Sequence, residues 1–342
     1  MKNSSNLFKK YNKCIYCGSE QLKKEKEEIV LKNFYVKAII SDLKISEKLF
    51  KRIKTFSCKN CYVIQNNPWF SEAIARKIYT EIYGQHNRSW SNILNFMNKG
   101  NFPNHGKLFN LLIKNIKIKN YAEFNSPFMG LLINFFSKEY KKNKFFYKNL
   151  KKTIINYFVS RQVAGKSKKI QISSLKKSSN FLKNINKMKK NNLIKKRVNK
   201  YLYIDNSNLS WGQNDNYMSV NSKSFASSLF DLEIVDLKQS KANIKFDLFG
   251  IFHTLDHTFQ PKKVLNFALD VSKYVIVYCH VNKNLSKQHL FTFTSDFLKY
   301  LNKNKIYTLN LNDKIKKSFN SPELYFLCSK NRNNINKLQL KY

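Results

Sequence analysis

The chain has 342 residues, with 63 lysines and arginines against 21 acidic residues, a formal charge of +42 and only six cysteines. That length accommodates one large domain and a smaller one around a buried core. No apolar run approaches the roughly 18 residues of a membrane span and Met1-Lys-Asn-Ser-Ser5 lacks an apolar segment, so a soluble protein of the reducing cytoplasm is expected.

A basic excess of this size attracts polyanions, nucleic acid among them. Lysine, asparagine and isoleucine are nevertheless abundant along the whole chain, and the charge is not gathered into one block. Arginine, the residue suited to bidentate phosphate and base contacts, is scarce. Small anionic compounds are therefore the expected partners, with nucleic acid as the alternative supported by charge alone.

In chain order, residues 10–70 carry two matched pairs, Cys14-Ile-Tyr-Cys17-Gly18 and Cys58-Lys-Asn-Cys61-Tyr62. Two residues between thiolates let one tight turn aim both sulfurs at one ion, and two such turns complete a tetrahedral shell. Two redox dithiols, or unrelated core cysteines, are the alternatives. Four sulfur ligands leave no open position for a water nucleophile, so zinc at Cys14, Cys17, Cys58 and Cys61 would be structural. The long segment between the pairs must form a hairpin or helix of its own.

From Pro68 to about Asn98, Phe70, Ile74, Ile78 and Ile82 recur at helical spacing. A turn-rich patch at 99–106 precedes a second helical pattern from Leu108 to Ile118. Seven short apolar runs then read as strands: 121–124, 201–204, 232–235, 246–252, 274–278, 306–309 and 324–327. Helices are predicted between them at Ser222–Leu229, Pro261–Val271 and Ser295–Leu301. Continuous apolar strands alternating with helices indicate an α/β sheet covered on both faces. Residues 137–200 break this rhythm as a lysine-rich helical insertion, either a cap over the sheet edge or a partly disordered segment. The organisation expected is 1–98 as metal module and helical lid, 99–330 as the α/β domain, and 331–342 as a polar, frayed tail. Cys279 and Cys328 fall inside apolar strands and read as core.

The order Cys14-x-x-Cys17-Gly18, then Phe56-Ser-Cys-Lys-Asn-Cys-Tyr-Val-Ile-Gln65, then Ile78-Tyr-Thr-Glu-Ile-Tyr83 resembles the zinc-binding N-terminal domain of S-adenosylmethionine-dependent methyltransferases. The sugar C-methyltransferases acting on nucleotide-linked deoxysugars are the nearest group. Phe246-Asp-Leu-Phe-Gly-Ile-Phe-His-Thr-Leu-Asp-His257 is similar to the family's fourth strand and its His-x-Leu-Glu-His-like run, and Pro261 starts the next helix as in the family. Gln288-His-Leu-Phe-Thr-Phe-Thr-Ser-Asp-Phe297 looks like its later histidine and aromatic-x-Ser segment.

The resemblance implies a seven-stranded Rossmann-like methyltransferase sheet that binds S-adenosylmethionine at its carboxyl ends. It puts cofactor contacts at Glu123, Asn125, Ser126, Gly130, Asp205 and Asp236, with Asp205 on the ribose hydroxyls and Asp236 near the adenine. A turn-initiating role in Asp205-Asn-Ser-Asn208 is the other reading of Asp205. The chain departs from the family where a glycine-rich loop is expected, reading Glu123-Phe-Asn-Ser-Pro-Phe-Met-Gly130. Either the pocket is rebuilt, or the fold is kept without the cofactor. His257 is the implied base toward the acceptor and His253 the cofactor-lining histidine, with His289 a third candidate. The alternative gives His253 and Asp256 to capping the helix at Pro261. No Gly-x-Ser-x-Gly or phosphate-loop motif occurs. Three functions are thus carried forward: methyl transfer to a small anionic acceptor such as a nucleotide sugar, a non-catalytic binding protein of the same fold, and a zinc-containing RNA-binding protein or RNA methyltransferase.

Overall fold

The computed structural model describes residues 7–25, 34–78, 105–124, 131, 134, 200–205, 232–236, 245–252, 254–281, 289–315 and 323–339. The N-terminal elements are β1 (Phe8–Lys9), β2 (Leu22–Lys24), α1 (Phe34–Asp42), α2 (Glu47–Phe50), β3 (Lys54–Cys58), β4 (Ile64–Asn67), β5 (Trp69–Phe70) and α3 (Glu72–Lys77). Then come α4 (His105–Asn115), β6 (Asn120–Phe124), β7 (Lys200–Asp205), β8 (Leu232–Asp236) and β9 (Phe246–Phe252). The chain closes with α5 (Pro261–Val271), β10 (Ser272–His280), β11 (Phe291–Thr292), α6 (Phe297–Lys303), β12 (Tyr307–Asn310), β13 (Glu323–Ser329) and α7 (Arg332–Gln339). This is a mixed α/β chain.

The main sheet has the order β12-β13-β10-β9-β6-β7-β8. Strands β8, β7, β6, β9 and β10 run parallel, and β13 lies antiparallel to both β10 and β12. Its central strands are apolar on both faces: Tyr274 to Cys279 and all of β13 are buried. This is the pattern expected where helices cover both sides. Helix α5 begins with Pro261, whose fixed φ suits the first helical position. Its Val264, Leu265, Ala268 and Leu269 are buried along one stripe. Asp247 accepts from the amides of Lys119 and Asn120 at 2.7 and 2.9 Å, which fixes the start of β6 beside β9.

The order of strands reverses at β6: β7 and β8 extend to one side, β9 and β10 to the other. In open parallel sheets the crevice outside the carboxyl ends at such a reversal is where ligands bind. Glu123, Asp205, Asp236 and His257 all lie at or just beyond this end of their strands.

A second sheet, β11-β4-β3-β2, is antiparallel and belongs to the cysteine module. Its edge strand β11 is supplied by residues 291–292, more than 220 residues after β4. One apolar cluster runs from Cys14 and Tyr16 through Phe293 and Phe297 to Phe326 in the main sheet. The segment between the cysteine pairs forms strand and helix, β2 and β3 pairing with α1 and α2 between them.

Two expectations need correction. The helical pattern read from Pro68 starts later, because Phe70 belongs to β5 and stacks on Phe8 at 5.3 Å across the β1–β5 pair. Residues 79–104, which would carry its continuation, lie outside the described residues, as do 137–199 of the lysine-rich segment and the helix expected at Ser222–Leu229. The tail read as frayed instead forms α7, with Ile335 and Leu338 buried. Their i, i+3 spacing gives an otherwise polar helix one apolar stripe to dock. The other strands and helices expected after residue 120 are present, shifted by two residues or fewer at their starts where described. No helix among the described residues is long and apolar enough to cross a membrane.

Candidate functional site

The four cysteines of the two knuckles converge. Cys14 Sγ lies 3.4 Å from Cys61 Sγ and Cys17 Sγ 3.6 Å from Cys58 Sγ, and all four sulfurs lie within 4.8 Å of one another. None is in a disulfide. A tetrahedral ion with bonds of about 2.3 Å separates its sulfurs by roughly 3.8 Å, so the set fits one ion with small adjustments. Both knuckles close alike: Gly18 donates its amide to Cys14 O and Tyr62 to Cys58 O, each at 2.9 Å. Both closing residues adopt left-handed backbone, Gly18 at φ 75° and Tyr62 at φ 63°. Asn60 Nδ2 approaches Cys17 Sγ at 3.7 Å, a donor that orients a thiolate. The hydrogen bond with Cys61 pulls the Cys14 thiol down to about 6, and its partner Cys61 is pushed up in return. Burial pushes Cys17 up to about 11. The Cys14 thiolate thus disfavours ionisation of Cys17 and Cys61, a repulsion that a bound cation would relieve.

The module is held by three consecutive polar residues that the sequence reading passed over. Gln65 accepts from the Ile15 amide at 2.9 Å and donates to Lys13 O, holding the first knuckle from behind. Asn67 brackets Tyr11 in the same way through its amide and carbonyl. Asn66, pointing to the opposite face as alternation along a strand requires, donates to His289 O at 2.6 Å and accepts from Thr55 Oγ1 at 3.1 Å. Gln65 and Asn66 are completely buried. The 291–297 segment returns these contacts. Phe297 meets the buried Tyr16 ring edge-on at 4.7 Å, Thr294 Oγ1 donates to Tyr62 O, and Thr292 Oγ1 donates to His280 O.

That lacing brings His289 beside His257 and His280 at the carboxyl ends of β9 and β10. One ring nitrogen of each lies within 4.8 Å of those of the other two. The His257 and His289 rings meet at 4.7 Å, His280 and His289 at 5.5 Å, His257 and His280 at 6.2 Å. Asp256 is buried, its Oδ2 2.9 Å from His280 Nδ1 and 3.2 Å from the His280 amide. Burial alone would raise the Asp256 carboxyl; the neighbouring His257 and the bond from His280 outweigh it and hold it well below the usual carboxylate range. For His280, burial is likewise outweighed by the Asp256 bond and charge, which raise it. Burial lowers His257 to about 4, and burial with the two neighbouring imidazoles lowers His289. At neutral pH His257 and His289 are thus neutral nitrogen donors, and Asp256 is an ionised carboxylate bonded to His280.

No protein-family model matches this chain, and no curated protein does.

Beside the histidines a buried carboxylate, Glu323, accepts from Tyr278 at 2.5 Å and from Tyr325 at 3.2 Å. It stands opposite His280 in the β10–β13 register. His105 packs edge-on against Phe252 at 4.8 Å and Tyr278 at 5.5 Å. Glu123, also fully buried, accepts from Tyr121 Oη at 2.5 Å and from the Leu131 amide at 3.1 Å, so the chain beyond β6 folds back onto it. Asp205 and Asp236 close β7 and β8 at opposed positions.

The sequence-predicted site residues therefore fall into three groups. The four cysteines come together, as do His257 and His289. Glu123, Asp205 and Asp236 end three neighbouring strands on one edge of the sheet. Asn125, Ser126, Gly130 and His253 lie outside the described residues. The capping role weighed for Asp256 is replaced by its bond to His280, since α5 is preceded by Gln260 and has no side-chain cap. His280 was missed, yet it ends the apolar run 274–279, and parallel pairing of that run with 246–252 brings its end beside His257.

Proposed function

We propose that this chain is an S-adenosylmethionine-dependent methyltransferase of the cytoplasm, carrying a structural zinc on Cys14, Cys17, Cys58 and Cys61. Its acceptor is a small anionic molecule such as a nucleotide-linked sugar. The observation that carries the reading is the sheet: seven strands, as in the family the sequence resembles, with order reversing at β6 and acidic residues at three adjacent carboxyl ends. Histidines stand at the ends of the next two strands, where an acceptor would meet the donor.

Asp205 and Asp236 would hold the adenosyl part, and Glu123 would anchor the returning chain over it. The cofactor, once bound, supplies an electrophilic methyl on sulfonium. His257 is neutral and stands just beyond the carboxyl end of β9, so it would take the acceptor's proton, while Asp256 nearby favours the imidazolium that results. Glu323 with its two tyrosines forms a buried polar cluster opposite His280 that stiffens this end of β10 and β13. Four sulfur ligands leave the zinc no chemical role beyond fixing the knuckles.

Calorimetric titration of the full chain with S-adenosylmethionine tests this. A binding heat is expected, weakened at least about tenfold, roughly 1.4 kcal/mol, in Asp205→Ala. His257→Ala should keep the cofactor and lower methyl transfer by about 10²–10⁴-fold. Absence of both binding heat and thermal shift in the wild type would end the proposal.

A further inference from the structure

We infer that His257, His280 and His289 form a second metal site, for a divalent cation of the zinc, cobalt or nickel class, distinct from the four-cysteine centre. The chain has only six histidines, and three of them meet at this one point from three separate segments. Three imidazoles are a common ligand set for a catalytic zinc, with a fourth position left to water or a ligand oxygen. The nitrogens lie within 4.8 Å of one another, against roughly 3.3 Å across two Zn–N bonds of about 2.0–2.1 Å, a gap that small side-chain rotations close.

Edge-to-face packing accounts for the ring contacts but not for Asp256. This carboxylate is buried, bonds His280 Nδ1, and its Oδ1 has no hydrogen-bond partner among the described residues. A carboxylate on the far nitrogen is the usual orienting partner of a metal-bound histidine: it fixes the tautomer and turns Nε2 toward the ion. The burial differs as well. His257 is buried while His280 and His289 are half-buried, so an ion would have a protein wall on one side and an opening on the other. That opening suits an acceptor's hydroxyl, carboxylate or phosphate oxygen as the fourth ligand.

A histidine that ligates a metal cannot also take a proton, so ion binding and the base role of His257 are alternative states of one imidazole. The inference does not depend on S-adenosylmethionine. Cofactor titration and metal counting can fail separately.

The test is metal content of the full chain, equilibrated with zinc ion and desalted. The wild type should keep a second ion beyond that of the cysteines. His280→Ala and His289→Ala should each lose this ion and retain the first, the retained ion reporting that the variants fold. Asp256→Asn, which keeps all three ligands, should weaken the second ion about 10- to 100-fold. Zinc-edge X-ray absorption of the wild type gives a reading free of variants: imidazole scattering is expected beside the sulfur shell. A sulfur-only shell with one ion per chain, or a second ion that survives both histidine variants, would overturn the inference.

Discussion

Gly250 lies at the centre of the main sheet, paired with Glu123 on β6 and Ile276 on β10. A Cβ at this position would overlap Tyr121 Oη and stand 2.6 Å from Cε2 of Phe252. The Tyr121 hydroxyl crosses this bare stretch of backbone to reach Glu123. Gly250→Ala therefore does two things: it overpacks a sheet with no space to spare, for about 1–3 kcal/mol, and it displaces the Tyr121–Glu123 bond, leaving a buried polar group short of a partner for about 1–3 kcal/mol. The variant should be destabilised by about 2–6 kcal/mol in urea unfolding followed by circular dichroism. Tyr121→Phe removes the hydroxyl, so the alanine should cost less in that background, with a coupling of about 0.5–3 kcal/mol. The Phe252 contact survives in both backgrounds and accounts for the remainder. If Gly250→Ala unfolds within about 0.5 kcal/mol of wild type, the glycine is not the device that lets Tyr121 reach Glu123.

Cys58→Ser should abolish binding of the structural ion and expose residues 7–78 to limited proteolysis, since binding energies of about 10–16 kcal/mol in comparable peptide sites are also folding energies. Asn66→Ala removes its hydrogen bonds with Thr55 Oγ1 and His289 O, and should cost about 1–3 kcal/mol in thermal or urea unfolding. It should also lower zinc occupancy at the histidines without touching a ligand. His257 sits near 4 when folded against an ordinary 6.5, so the unfolded chain takes up its proton first as pH falls. Its neutral burial contributes stability that is complete above 6.5 and lost between 6.5 and about 4, on the order of 3 kcal/mol. Unfolding of wild type and His257→Gln across that window should show a steeper acid loss in the wild type.

Much of the fold was legible because parallel strands buried on both faces advertise themselves as unbroken apolar runs. Phe246–Phe252 and Pro261–Val271 could be bounded from sequence to the residue. The cysteine cluster was legible for a different reason: the two-residue spacing fixes the local turn before any tertiary contact forms. The histidine cluster was only partly so. His257 and His289 carried a motif resemblance, whereas His280 has no local signal, and its place follows only from strand pairing across 24 residues to Asp256. The polar run Gln65-Asn66-Asn67 was illegible for the converse reason. Its composition reads as a surface loop, and only the segments it clamps, near residues 11, 15 and 289, explain why it is buried.

Those clamps bear on what the cysteine module does. Strand alternation sends Gln65 and Asn67 toward the first knuckle and Asn66 toward His289. The β4 strand therefore links a shell of four sulfurs to a cluster of three imidazoles. Phe291 pairs with Gln65 and Thr292 with Ile64, so the segment carrying His289 is an edge strand of the cysteine module as much as part of the α/β domain. Once the knuckles come apart, Gln65 loses what it braces and β4 loses its register with β3. Asn66 then no longer fixes the His289 carbonyl. An ion held by the four sulfurs would in this way bear on where the third histidine stands without touching it.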